Sequence, residues 1–277
     1  MKQSVMLMAK RQDDEARQAL ADVAKWLKKR SIAPVDVTGG EGQIGQSQLR
    51  SVVAGVSFGG DGTFLSMVDR LSKKDQFPLM GVNLGTLGFI TSVGRSEVRP
   101  ELTKVLEGSF QEEKRSLFSA SILRKQKSVH SGVFVNDAVV VKDASAPLLR
   151  FELRIDGSLL TRVRADGFII SSATGSIAYA LSAGGPLVHP GTDVILLIPI
   201  CAHSLSSRPI VVPSTTKAEL VLVEGKKGAT LVFDGQRKFS LDAGDIVTTN
   251  PSKSTLRLIG GASRQWSEAL RNKLKMA

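Results

Sequence analysis

The chain holds a single cysteine, Cys201, among its 277 residues. It cannot close an internal disulfide, and no Cys/His cluster has zinc-ligand spacing. A reducing compartment fits, and Cys201 reads as a small buried apolar side chain. Long apolar runs are missing too. The longest, Val194 to Ile200, is interrupted by Pro199. It falls well short of the roughly 18–20 residues of a membrane span and reads as a buried strand. The first residues lack the apolar segment and small-residue cleavage site of an export signal. A cytoplasmic location with no membrane partner is the resulting expectation. Aromatic residues are scarce, at 5%. The net charge is +11, yet the cations occur in short scattered groups such as Lys28-Lys29-Arg30, Lys73-Lys74, Arg124-Lys125 and Lys226-Lys227. Without a basic run or interleaved aromatics, this charge argues for small anionic substrates and against a nucleic-acid partner.

The length suits two domains, and the first third alternates strand and helix. Ser4–Met8 reads as a short strand. From Asp14 to Arg30, Ala16, Leu20, Val23 and Leu27 recur at helical spacing; Asp13 or Asp14 caps the start, and Lys28–Arg30 suits the last turn. Strands at Val52–Phe58 and Leu79–Val82 alternate with helices at Thr63–Leu71 and Glu97–Glu107. This rhythm predicts a parallel sheet with helices on its faces. After about Arg115 short strands dominate: Val133–Val141, Phe151–Ile155, Leu159–Val163, Phe168–Ser171, Val194–Ile200, Glu219–Val223, Thr230–Phe233 and Ile246–Thr249. Asp156-Gly157 accepts the positive φ of a tight hairpin turn. Helices are expected at Ser176–Ser182 and Ser267–Lys275. This half reads as an antiparallel β-sandwich.

Val56 to Thr63 reads Val-Ser-Phe-Gly-Gly-Asp-Gly-Thr, at a strand end and a helix start. Gly59, Gly60 and Gly62 remove side-chain bulk, so backbone N–H groups can approach a polyphosphate. The helix N-terminus behind them favours negative charge. Asp61, with Thr63 after it, sits where a carboxylate would be repelled by phosphates. Its presence makes sense if it takes a proton from an attacking hydroxyl or holds Mg²⁺ against the phosphates. The loop is neither a Walker A sequence nor a dinucleotide fingerprint. It resembles the loop shared by NAD kinases, diacylglycerol and sphingosine kinases and 6-phosphofructokinases, which implies phosphoryl transfer onto a hydroxyl.

A second segment runs from Arg164 through Asp166-Gly167 and an apolar stretch to Thr174-Gly175-Ser176-Ile177-Ala178-Tyr179-Ala180-Leu181-Ser182-Ala183-Gly184-Gly185-Pro186. Thr174-Gly175-Ser176 is a polar, glycine-containing helix entry. Tyr179, the only tyrosine, shares a helix face with Ser182. Asn136-Asp137 is a polar pair entering an apolar strand, suited to ribose hydroxyls. Arg164 and Asp166, two apart, would point the same way along a strand. The Arg164–Pro186 segment resembles the NAD kinase signature, and four further pieces agree in order: Asn83–Phe89, Asn136-Asp137, His203–Pro209 and Asp234-Gly235-Gln236. The resemblance covers nearly all of the chain from Val52 onward.

That resemblance implies a Rossmann-like α/β domain over residues 1–115, with 261–277 packing back, and an all-β, β-sandwich NAD-binding domain over 116–260. It implies phosphorylation of the adenosine ribose 2′-hydroxyl of NAD to give NADP, with ATP, or polyphosphate in its place, and Mg²⁺ or another divalent cation. Asp61 becomes the general base, Gly62 lies against the NAD and phosphate, and Gly60 and Thr63 are substrate-binding residues of the same loop. Asn136, Asp137, Ala178, Tyr179 and Ser182 bind the adenosine half, with Thr174, Gly175, Ser176 and Ile177 beside them. Arg164, from a neighbouring subunit, contacts phosphate. Asp166 lies near the nicotinamide, and Gln236 near the 2′ position. A homodimer or homotetramer is implied. Ile177 stands where many relatives have Thr, and Asp137 replaces the commoner Glu. The alternatives are a lipid kinase of the diacylglycerol or sphingosine type, sharing the Gly-Gly-Asp-Gly-Thr loop, and a non-catalytic basic binding module.

Overall fold

A computed structural model describes residues 3–40, 42–71, 76–85, 88–204, 206–224, 228–260, 266–268 and 270–271. Lys73-Lys74, Thr86, Leu87, Leu205, Lys226-Lys227 and most of the expected C-terminal helix lie outside the described residues. The chain forms two compact units, Met1–Arg115 with Ser254–Ala277, and Ser116–Lys253.

The first unit contains β1 (Ser4–Ala9), α1 (Asp14–Lys29), β2 (Ala33–Asp36), α2 (Gln46–Leu49), β3 (Val52–Phe58), α3 (Asp61–Asp69), β4 (Leu79–Asn83), β5 (Val93–Gly94) and α4 (Val98–Glu107). β2, β1, β3 and β4 lie side by side in that order, all parallel. α1 forms where expected. The Asp13 carboxylate accepts from the Ala16 N–H at 3.0 Å, and Asp14, Glu15, Lys28 and Lys29 complement the helix dipole. Its Ala16, Leu20, Val23 and Leu27 pack with Leu102 and Val105 of α4 against Val5, Leu7, Val56 and Val82. All six residues of β1 are buried, as a strand covered on both faces requires. Pro34 occupies β2, an edge strand, where a missing ladder donor is tolerated. The chain leaves β1 to form β2 on one side and returns to form β3 on the other. The crevice at the carboxyl ends of β1 and β3 is therefore a topological switch point, where doubly wound sheets bind ligands.

The second unit holds most of β6 (Glu112–Arg124), then β7 (Lys127–Phe134), β8 (Asp137–Lys142), β9 (Leu149–Ile155), β10 (Ser158–Ala165), β11 (Gly167–Ser172), a 3₁₀ turn (Thr174–Ile177), α5 (Tyr179–Ser182), β12 (Val194–Ile200), β13 (Ile210–Pro213), β14 (Ala218–Glu224), β15 (Ala229–Phe233), β16 (Arg237–Leu241) and the start of β17 (Ile246–Ile259). One antiparallel sheet runs β13-β12-β11-β8-β15-β16, and the other carries β10-β9-β14-β17 with the β6–β7 hairpin. Phe118, Phe134, Phe151, Phe168, Leu220 and Phe233 fill the space between the sheets, making the expected sandwich. Asp156 and Gly157 take φ values of 49° and 82° in the β9–β10 turn, as read from Asp-Gly. β11 is buried throughout, because Ala180, Ala183 and Val188 cover the outer face of its sheet over Val139, Ile169 and Leu196.

Three expectations change. The strand read as Val133–Val141 breaks after Phe134, and β8 starts at Asp137. The N–H groups of residues 135–137 turn to a carboxylate described below. The helix read as Ser176–Ser182 is a 3₁₀ turn plus four residues of α-helix, split at Ala178 with φ −96° and ψ −130°. Cys201 is exposed, because it occupies the bend after β12 with φ 48°.

Candidate active site

The glycines after β3 fall into two kinds. A Cβ on Gly59, which has φ 143°, would lie 2.6 Å from Thr63 Oγ1, so the turn itself requires glycine there. A Cβ on Gly60 or Gly62 would meet nothing within 4 Å, and neither has positive φ. The fold does not demand glycine at either place; they keep a surface clear for close approach. α3 starts at Asp61, and its N-cap, Gly60, makes no side-chain capping bond. The positive end of the helix thus faces a pocket of about 440 Å³ lined by Met8, Ala9, Lys10, Arg11, Gly60, Gly62, Thr63 and Ser66. It opens at the β1/β3 switch point and combines two cations, bulk-free backbone and a helix N-terminus, the ingredients of a polyphosphate site. Lys10 and Arg11 escaped the motif reading. The available signal was a pair of cations directly after the first parallel strand.

Asp61 does not cap its own helix. Its Oδ1 accepts from the Thr91 hydroxyl (2.8 Å), the Thr91 N–H (2.9 Å) and the Ile90 N–H (3.2 Å), and its Oδ2 accepts from the Phe89 N–H (3.0 Å). An ionised carboxylate offers about four lone-pair positions, two per oxygen. Among the described residues Oδ1 takes three donors and Oδ2 one, so Oδ2 is the less occupied oxygen. Each contact brings a donor, surroundings suited to a group that accepts.

In the second unit, the Asp234 carboxylate accepts three backbone N–H groups, from Val135 (2.8 Å), Asn136 (2.7 Å) and Asp137 (3.1 Å). The Asp234 N–H donates back to the Asp137 carbonyl at 2.9 Å. Asp234 and Gly235, with φ 47° and 67°, form the β15–β16 turn, which places the Asp-Gly-Gln motif beside Asn136-Asp137. The 3₁₀ turn closes on the same point. The Ser172 hydroxyl donates to the Val135 carbonyl (2.5 Å) and accepts from the Gly175 N–H (3.1 Å), and the Ser171 hydroxyl donates to the Asn136 carbonyl (3.1 Å). Three distant motifs thus meet within one unit. Asn136 Oδ1 is buried with no hydrogen-bond partner among the described residues, an acceptor suited to a ligand hydroxyl or amine.

The remaining residues divide. Tyr179 is 43% exposed and Ser182 is exposed, so ring and hydroxyl are open to a ligand; Ile177 and Ala178 are half-buried. Thr174, Gly175 and Ser176 are buried. The Ser176 hydroxyl donates to the Val188 carbonyl and accepts from its N–H, and the Ser176 and Ala178 N–H groups bond to Ala173 and Gly175 carbonyls. The N–H groups of Gly175, Ser176 and Ala178 are thus engaged within the unit, and the segment frames the site through its shape. Arg164 is exposed and lines a separate pocket of about 570 Å³ with Arg150, Leu148 and Val223. Asp166 pairs with Lys142 at 3.5 Å. The alternation expected to align Arg164 with Asp166 does not apply, because β10 ends at Ala165 and Asp166 lies between the strands of two sheets. Gln236 is exposed, and its N–H donates to the Phe233 carbonyl.

Burial, and next the charge of Asp234, push the Asp137 carboxyl up to about 7 from 3.8. The unfolded chain releases this proton near pH 4 and the folded chain near pH 7. Across that window the folded state binds more protons, so stability falls as pH rises, by roughly 2–4 kcal/mol in all. Asp137→Asn is therefore expected to melt higher than the parent at pH 8 and to lose that advantage at pH 5. Thermal melts at the two pH values check this, with weaker NAD binding by the variant as the accompanying cost.

Known proteins resemble this chain over nearly its full length. The model of the ATP-NAD kinase N-terminal domain matches residues 50–110, and that of the ATP-NAD kinase C-terminal domain matches residues 135–260. An NAD kinase of Azoarcus sp. (strain BH72) is 37% identical, over 98% of this chain and 95% of its own length. One from Geobacter metallireducens is 35% identical, over 98% of both. Among solved structures, an Archaeoglobus fulgidus NAD kinase in complex with ATP superposes with a TM-score of 0.78 at 26% identity, over 97% of this chain and 98% of that one. The yeast NADH kinase complexed with NADH shares the fold, with a TM-score of 0.89 at 24% identity over 99% of this chain and 88% of its own. The lipid-kinase alternative finds no support among these relatives. Family models over more than half of the chain and relatives matched over nearly its full length agree: this chain belongs to the NAD kinase family.

Proposed function

We propose that the chain transfers the γ-phosphoryl group of ATP to the adenosine ribose 2′-hydroxyl of NAD, giving NADP, with Asp61 as general base. The 2′-oxygen attacks the γ-phosphorus, the bond to the β,γ-bridging oxygen breaks, and ADP leaves. The hydroxyl proton passes to Asp61 Oδ2. One observation carries this: a carboxylate set among glycines, crowded by donors on one oxygen and met by a single donor among the described residues on the other. Gly60, Gly62 and Thr63, with Lys10 and Arg11, suit the triphosphate. Asn136 and Asp137 suit the ribose and adenine, Tyr179 offers its ring, and Ala178 and Ser182 line the adenosine. Asp166 is assigned to the nicotinamide end and Gln236 to the neighbourhood of the 2′ position.

Among the described residues no group of three or more His, Cys, Asp or Glu side chains could hold a metal ion. Mg²⁺ would arrive bound to the triphosphate. The ion offsets phosphate charge. Polyphosphate would use the same cations and helix end. A homodimer or homotetramer belongs to this reading, with exposed Arg164 meeting phosphate held by a neighbouring copy. So does a cytoplasmic setting. Among the described residues no helix is long and apolar enough to cross a membrane. Purified chain with NAD and MgATP is expected to form NADP, read by an NADP-specific dehydrogenase. Binding of NAD without product would leave only the non-catalytic reading.

A further inference from the structure

We propose that Thr91 is a positioning residue for the transfer, locking the Asp61 carboxylate so that Oδ2 meets the substrate hydroxyl; this rests on the reading of Asp61 as base. Thr91 lies outside the recognisable motifs, the nearest of which ends at Phe89. It is fully buried. Both its N–H (2.9 Å) and its hydroxyl (2.8 Å) donate to Asp61 Oδ1, so one residue supplies two of the four bonds that described residues make to the carboxylate.

Thr91 is itself held. The Gly88 N–H donates to its carbonyl at 3.2 Å. A Cβ on Gly88 would overlap both Thr91 Oγ1 and Asp61 Oδ1, and one on Gly81 would lie 2.8 Å from Thr91 Cα. Two glycines on different elements thus clear the space for this side chain against this carboxylate. A β-branched residue has little χ1 freedom, so the hydroxyl adds a fixed side-chain anchor to the backbone donors. Of those, Ile90 and Thr91 meet Oδ1 and Phe89 meets Oδ2. The hydroxyl stops the plane from turning about the Asp61 side-chain torsions, which decides where the lone pair of Oδ2 points.

The test compares Thr91→Val, which keeps the shape and removes the donor, with Thr91→Ser, which keeps the donor, in the parent and in Asp61→Asn. Thr91→Val is expected to lower kcat about tenfold with KM for NAD and ATP within about twofold, since misplacing a reacting group by a fraction of an ångström costs rate more than binding. Thr91→Ser should stay within about twofold of the parent. In the Asp61→Asn background, Thr91→Val should cost less than about twofold more, because no base remains to be positioned. If Thr91→Val does not fold, Thr91→Cys against Thr91→Ser makes the same comparison with a weak donor. Parent-like kcat in Thr91→Val, beside a collapsed Asp61→Asn, overturns the role of Thr91 alone. So does a loss of equal size in both backgrounds, which marks general damage. Normal turnover in Asp61→Asn removes the base itself, and this proposal with it.

Discussion

Asp61→Asn is expected to lose ~10²–10⁴ in kcat, the usual worth of a general base, while KM for NAD stays within about threefold. The split follows from where Asp61 sits. Its bonds run to residues 89–91 of its own unit, while the residues assigned to adenosine lie on the second unit. The variant also carries a structural cost. Asn keeps one carbonyl oxygen, which can take over the Oδ1 bonds, but its NH₂ then meets the Phe89 N–H donor to donor. Losing a hydrogen bond to a charged group costs ~1.5–3 kcal/mol, so the melting temperature should drop by several degrees without loss of fold. Steady-state kinetics with calorimetric NAD titration separates the two effects. Normal NAD affinity with lost turnover supports the assignment, and lost affinity with normal kcat contradicts it.

Gly175→Ala is expected to do the opposite, damaging the fold and binding together. An added Cβ would sit 2.5 Å from Ser171 Oγ and nearer still to the Asn136 carbonyl oxygen. That oxygen already accepts from the Ser172 N–H at 2.8 Å and the Ser171 hydroxyl at 3.1 Å. It cannot retreat without breaking both, so the 3₁₀ turn must lift away. Overpacking against backbone costs ~3 kcal/mol or more, a fall of roughly 6–12 °C in Tm for a unit of this size. KM for NAD should rise more than about tenfold, because the lifted turn carries Tyr179 away from Asn136-Asp137. Thermal melts and KM measured on one preparation check it; parent-like values in both would show that the turn does not frame the site.

Much of this was legible in residue order. Helical spacing in Asp14–Arg30, the glycine loop after an apolar strand and the Asp-Gly hairpin are local signals, and each formed as read. What stayed hidden depends on distant partners. Nothing near Val133–Val141 says that the strand must break after Phe134, because the carboxylate that captures three of its N–H groups is Asp234, about a hundred residues on. The same holds for Thr91, which looks like an ordinary residue until the fold sets it against Asp61. Lys10 and Arg11 gain meaning only once β1 and β3 are known to be neighbours. β6 went unread because its burial alternates imperfectly through Glu112–Arg124, a strand with charged residues at both ends.

The most direct test concerns where the phosphate goes. NAD, its 2′-deoxyadenosine analogue and its 3′-deoxyadenosine analogue, each given with MgATP, are followed by ³¹P NMR. Phosphate on the adenosine 2′-oxygen of NAD and of the 3′-deoxy compound, with none transferred to the 2′-deoxy compound, is the expected result. Transfer to the 2′-deoxy compound, or product carrying phosphate at any other oxygen, would contradict it.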